Sequence, residues 1–113
     1  MDQKNLAEPT ELGLAGLTER VKAFAAERRW ARFHSPKNLA MALSVEASEL
    51  VELFQWKTEE ASDALDEDTK ARVAEEIADV QIYLLQIAAR LDVDIERAVV
   101  DKMAKNARKY PAP

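Results

Sequence analysis

This chain of 113 residues predicts an all-α fold, a four-helix bundle. Three observations predict it. Apolar residues recur at steps of three and four along three stretches, the spacing of one helix face, and a cap at Asp94 marks a fourth helix. Only two glycines occur, and the four prolines sit near the ends or at one loop, which suits long helices and not many short strands. The connections between the periodic stretches are short, so successive helices fold back on one another. The length allows one domain over residues 12–113.

Met1–Glu11 is polar, carries Pro9, and is expected to be a flexible lead-in. Leu14, Leu17, Val21, Phe24 and Ala25 form a helical stripe over Leu12–Arg32, with Phe24 expected in the core. Thr10 can cap its start, although Gly13 and Gly16 weaken the first turn. An aromatic-rich bend, Trp30-Ala-Arg-Phe-His34, follows. Ser35-Pro36 is a strong start signal, a Ser cap with Pro at the first helical position, for a second helix to about Gln55. Thr58 caps a short third segment. A long helix runs from about Glu67 to Leu91, with Val73, Ile77, Val80, Leu84, Ile87 and Leu91 as its apolar stripe. Asp92-Val93-Asp94 breaks it, and Asp94 caps a last helix over Ile95–Lys109 that Pro111 and Pro113 prevent from continuing. Met41, Val45, Phe54, Leu85, Ala88, Val99 and Val100 fall off the main stripes and stay apolar. Helices apolar on more than one side bury more than one side, so a homodimer or homotetramer is expected.

Composition narrows the function. A net charge of −5 argues against a nucleic-acid partner, which would favour a basic surface. It leaves room for a small polyanion, because bound cations can supply the positive charge. The absence of cysteine removes disulfides and thiolate metal sites. No apolar run approaches the ~18 residues of a membrane span and no signal-peptide core appears, so no membrane partner and a cytoplasmic location are expected.

The chemistry lies in two apolar seams interrupted by acids. Leu39, Leu43, Glu46, Leu50 and Leu53 share one helix face, with Glu49 one turn past Glu46. Val73, Glu76, Val80, Tyr83 and Ile87 share another, with Asp79 one turn past Glu76. A carboxylate in an apolar seam is costly unless a cation or a donor meets it. No basic residue lies three or four positions from Glu46, so an ion-pair partner would have to come from another helix. If the two seams face each other, four carboxylates converge on a divalent metal. The only histidine, His34, lies outside both helices, and an all-carboxylate set suits a hard cation such as Mg²⁺ that shares its shell with phosphates. Glu52, Glu59, Glu60, Glu75 and Glu96 are expected to be solvated.

Glu46-Ala-Ser-Glu49 and Glu76-Ile-Ala-Asp79 resemble the E-x-x-E and E-x-x-D motifs of the MazG-like all-α nucleoside triphosphate pyrophosphohydrolases. The likeness is nearest to the dCTP pyrophosphatase branch. It takes in Trp30 with Phe33-His34, Pro36-x-Asn38-Leu39, the run from Glu49 to Trp56, Asp79-Val-x-Ile-Tyr-Leu84 and the tail from Lys102 through Asn106 to Tyr110-Pro111. Val45 stands where many relatives carry a further acid. The resemblance implies Mg²⁺-dependent hydrolysis of a (deoxy)nucleoside triphosphate, dCTP or a modified dCTP, to the monophosphate and pyrophosphate. It implies Glu46, Glu49, Glu76 and Asp79 as metal ligands, with Glu49 and Glu46 as catalytic acids and Glu49 oriented on the attacking water. Lys102, Asn106 and Lys109 make one polar face of the last helix that can reach phosphate oxygens; a solvated basic end favoured by the helix dipole is the alternative. Trp30, His34, Trp56, Tyr83 and Tyr110 are the candidates to meet the base, with packing or interface burial as the alternative for both tryptophans. Relatives place the pocket between subunits. Two other functions compete: a non-catalytic helical interaction module, and a dUTPase-like relative with another base preference.

Overall fold

The computed structural model describes residues 12–113. Five helices follow in order: α1 (Gly13–Glu27), α2 (Pro36–Glu52), the short α3 (Glu59–Asp63), α4 (Glu67–Arg90) and α5 (Ile95–Lys109), with a 3-10 turn over Ala31–Phe33 between α1 and α2. No strand occurs among the described residues. The expected lead-in and the cap at Thr10 lie outside them.

Local chemistry accounts for most boundaries. The Ser35 hydroxyl accepts from the Asn38 N–H at 3.1 Å, and Pro36 opens α2 behind it. Thr58 accepts from the Ala61 N–H at 3.0 Å, Asp66 from Thr69 at 2.7 Å and Asp94 from Arg97 at 3.0 Å. Asp92 then stops α4 in the left-handed region, at φ 57°. Asp tolerates that conformation better than most residues. Two expected ends move. α1 stops at Glu27, short of Arg32, because Arg29 turns left-handed at φ 55° and redirects the chain. α2 ends at Glu52, and tight turns carry the chain from Leu53 to Trp56.

α4 is the axis of the packing. It lies most extensively against α2 and less so against α1. The two interrupted seams meet there. Leu39 is fully buried, and Leu43, Glu46, Leu50 and Leu53 are half-buried opposite half-buried Val73, Glu76, Val80, Tyr83 and Ile87. α1 covers a second side of α4, where Leu85, Ala88 and Ala25 are buried. Burying a leucine side chain stabilises by roughly 1.5–3 kcal/mol, so Leu39 and Leu85 anchor these two contacts.

Three expectations about apolar residues need correction. Ile77, Leu84 and Leu91 are exposed, because α4 has neighbours on only two sides and these residues face neither. Phe24 is 48% exposed, because α1 ends beneath it; the Arg28 guanidinium covers its ring at 3.4 Å. The fourth long helix forms but does not close a bundle within one chain. α5 packs extensively against no other helix, and every side chain on it but half-buried Ile95 is exposed.

Candidate metal centre and nucleotide groove

α2 and α4 run antiparallel. Glu46 therefore meets Glu76 and Asp79 in mid-seam, while Glu52 and Leu53 share a groove with Arg72 and Glu75 further on. One carboxylate oxygen each from Glu46, Glu49 and Glu76 lies within 4.8 Å of the others. Asp79, half-buried one turn past Glu76, adds its charge to the same place.

Each acid is there for a local reason. Helical spacing puts Glu46 on the leucine face of α2 and Glu76 on the valine face of α4, so packing those faces carries both carboxylates inward. Glu49 lies at the groove side of the seam and stays exposed. The seam withdraws Glu46 from water, and this is the largest reason its carboxyl is pushed up from 4.5 to about 7. A hydrogen bond with Glu49 and the charges of Glu49 and Asp79 push the same way. Glu76 is also raised, chiefly by desolvation, against a hydrogen bond from Glu46 that favours its charged form. One oxygen of Glu46 and one of Glu76 are sealed from solvent with no donor within reach. Among the described residues only Gln86 has another such side-chain atom. Buried acceptors without donors are rare in folded proteins and mark a place that a water or an ion completes. A hard divalent cation fits this donor set, which is oxygen only, anionic and open on one side to a groove of about 390 Å³.

The aromatic bend forms a second cluster. Trp30 and His34 face each other at 6.1 Å, and Phe24 meets Trp30 edge-on at 5.7 Å. The bend is tied to both seam helices. Asn38 Nδ2 donates to the Phe33 carbonyl at 3.1 Å, and Arg90 Nη1 donates to the Ala31 carbonyl at 3.2 Å. Trp30 thereby sits beside the α2 start and the α4 end.

Within one chain the structure gathers Glu46, Glu49 and Glu76 with Asp79 beside them, and Trp30 with His34. Tyr83 lies half-buried on the seam face of α4. Trp56 is 89% exposed in the turn after α2, and neither it nor any α5 residue lines the acidic groove. Lys102, Asn106, Lys109 and Tyr110 are exposed on the unpacked α5 and just beyond its end. Sequence reasoning missed Arg72, Glu52 and Glu75 as groove residues and Arg90 as the tether of the bend. Arg72 carried a usable signal, because it lies four residues before Glu76 and so on the same face.

The family model described as MazG-like matches residues 41–113. The chain belongs to the MazG-like family. Among relatives, dCTP pyrophosphatase 1 of Rattus norvegicus is 50% identical over 90 residues, covering 78% of this chain and 53% of the relative. The Homo sapiens protein of the same name is 50% identical over 91 residues, covering 79% and 54%. The chain thus spans about half the length of these relatives. A crystal structure of a pyrophosphatase from Archaeoglobus fulgidus superposes with a TM-score of 0.80 at 42% identity, covering 85% of this chain and 90% of that one. The matched MazG-like segment contains all four seam acids.

Proposed function

We propose that this chain hydrolyses a nucleoside triphosphate, dCTP or a modified dCTP, to the monophosphate and pyrophosphate, with Mg²⁺ held by Glu46, Glu49, Glu76 and Asp79. One observation carries the reading: Glu46 and Glu76, on the two sides of a helix seam, each bury a carboxylate oxygen without a donor, and they converge with Glu49 beside an open groove that Glu49 and Glu76 line. A purely structural seam gains nothing from this arrangement, and a leucine at either position would pack at lower cost. The names of the relatives and of the superposing structure agree with it.

Mg²⁺, when bound, neutralises polyphosphate charge and polarises the phosphoryl group under attack. The protein supplies position and a proton acceptor. Glu49, exposed at the groove side of the seam, orients a water for in-line attack at the α-phosphorus and takes its proton. The bond from the α-phosphorus to the bridging oxygen breaks, and pyrophosphate leaves with that oxygen. Trp30, His34 and Tyr83 offer flat faces for the base, and Trp56, beyond the other end of α2, reaches it from a second copy. Lys102, Asn106, Lys109 and Tyr110 stand away from the groove of their own chain, so they reach phosphate in a homodimer or homotetramer that brings α5 of one copy to the groove of another. The exposed face of Val99, Val100 and Met103, with Met41 and Val45 on α2, is the apolar surface such an assembly covers. Cytoplasmic action on the nucleotide pool follows from this substrate class.

Incubation with dCTP and Mg²⁺ tests the reading, with dCMP and pyrophosphate expected. Orthophosphate with dCDP would place the cut at another bond. No turnover of any triphosphate would remove the enzyme, and preference for dUTP would replace the base.

A further inference from the structure

We propose that Arg72 is a substrate-binding residue that holds the β- and γ-phosphates and grips pyrophosphate before it leaves; this rests on the pyrophosphohydrolase reading above. Arg72 lines the groove with Glu49, Glu52, Glu75 and Glu76, and it is the only cationic side chain among the lining residues. Four carboxylates surround it, yet it forms no ion pair among those found in the described residues. A guanidinium offers a planar fork of donors that fits carboxylate or phosphate equally well. A fork left open among acids is available to an anion that arrives with its own cations.

Its position sets which phosphates it meets. Arg72 lies one turn before Glu76 on α4, about 6 Å along the axis at the ordinary helical rise. Moving along α4 from its C-terminal end, the aromatic bend tethered by Arg90 comes first, then Asp79 and Glu76, then Arg72. A nucleotide with its base toward the bend and its α-phosphorus over the acids extends its remaining phosphates toward Arg72. Arg72 thus answers the charge that grows on the leaving group.

The test compares wild type, Arg72→Ala and Arg72→Lys. It reads kcat and KM for dCTP with Mg²⁺, and inhibition by pyrophosphate and by dCMP. Arg72→Ala is expected to raise KM and weaken pyrophosphate inhibition roughly ten- to a hundredfold, the range of a lost charge-assisted hydrogen bond. Arg72→Lys recovers part of this, because the charge survives without the fork. Inhibition by dCMP and the thermal midpoint stay as in wild type, since Arg72 is exposed. Unchanged KM and pyrophosphate inhibition in an active Arg72→Ala enzyme overturn this proposal alone. Equal weakening of dCMP and pyrophosphate also overturns it, because the residue would then act at the α-phosphate or on the fold. A wild-type protein inactive on every triphosphate overturns the pyrophosphohydrolase reading, and the role of Arg72 with it.

Discussion

The α2–α4 seam and helix α5 break the same rule in opposite directions. The seam takes carboxylates away from water, and α5 leaves valine and methionine in it. Each misplacement carries a free-energy cost that the isolated chain does not recover. In the seam the missing partner is small and positive, because a cation meets anionic oxygens that converge from two helices. On α5 it is large and apolar, because a whole helix face is bare. A polar group out of place therefore points to a ligand, and an apolar face out of place points to another protein surface.

Substitution of the seam acids should separate the two regions most sharply. Glu46→Gln is expected to lower kcat/KM by more than the roughly 10–100-fold carried by residues that merely support metal ligands. It should also abolish Mg²⁺ binding in calorimetry while leaving the assembly intact. A variant that keeps its Mg²⁺ heat would show that the seam acids are structural.

Met103→Glu acts on the other region. Met103 is 64% exposed, so the isolated subunit tolerates the change, while a charge in an apolar interface separates the copies. Sedimentation velocity should show a smaller species, and activity should fall with it if α5 completes the groove of a neighbour. An unchanged sedimentation coefficient would mean that some other surface covers α5.

The seam also predicts an unusual pH dependence. Glu46 titrates near 7 in the folded protein and near 4.5 without burial. Between those values the folded state holds a proton that the unfolded chain has released. Without metal, the contribution of Glu46 to stability is therefore present at the acid end and is lost as pH rises through about 7. Glu76, raised as well, acts in the same sense. The thermal midpoint of the metal-free protein should decline from pH 5 to 7.5, and Mg²⁺ should restore it most at the upper end. Glu46→Gln should flatten the decline.

The smallest expected effect concerns the bend. Arg90→Met removes the 3.2 Å hydrogen bond to Ala31 and should cost about 1 kcal/mol. In a Trp56→Phe background the emission of Trp30 should shift to the red, with KM rising and kcat unchanged. A wild-type spectrum would mean that Asn38 holds the bend alone.

Much of this molecule was legible before folding. The caps at Ser35, Thr58 and Asp94 act within four residues of themselves, so their geometry is local and readable. The pairing of Glu46 with Glu76 was legible because the leucines and valines of each stripe dictate where the acid points. Other features were not. Phe24 lies on a correct stripe within the last turn of α1, but the helix stops at Glu27 and leaves its ring half exposed, and the left-handed Arg29 redirects the chain just past that end. Ile77 and Leu84 belong to a correct period, but how many neighbours α4 has is no property of α4. Arg72 and Arg90 are ordinary surface arginines in the sequence and take on meaning only from what lies across a groove or 59 residues away in the chain.

The division has a physical basis. Helix periodicity, capping and the register of acids against apolar residues depend on bonds and contacts within a turn or two, so the order of amino acids settles them. Which faces meet, which oxygens lose their water and which helix is left without a neighbour depend on burial. Burial is a property of several segments at once, and only their packing together decides it.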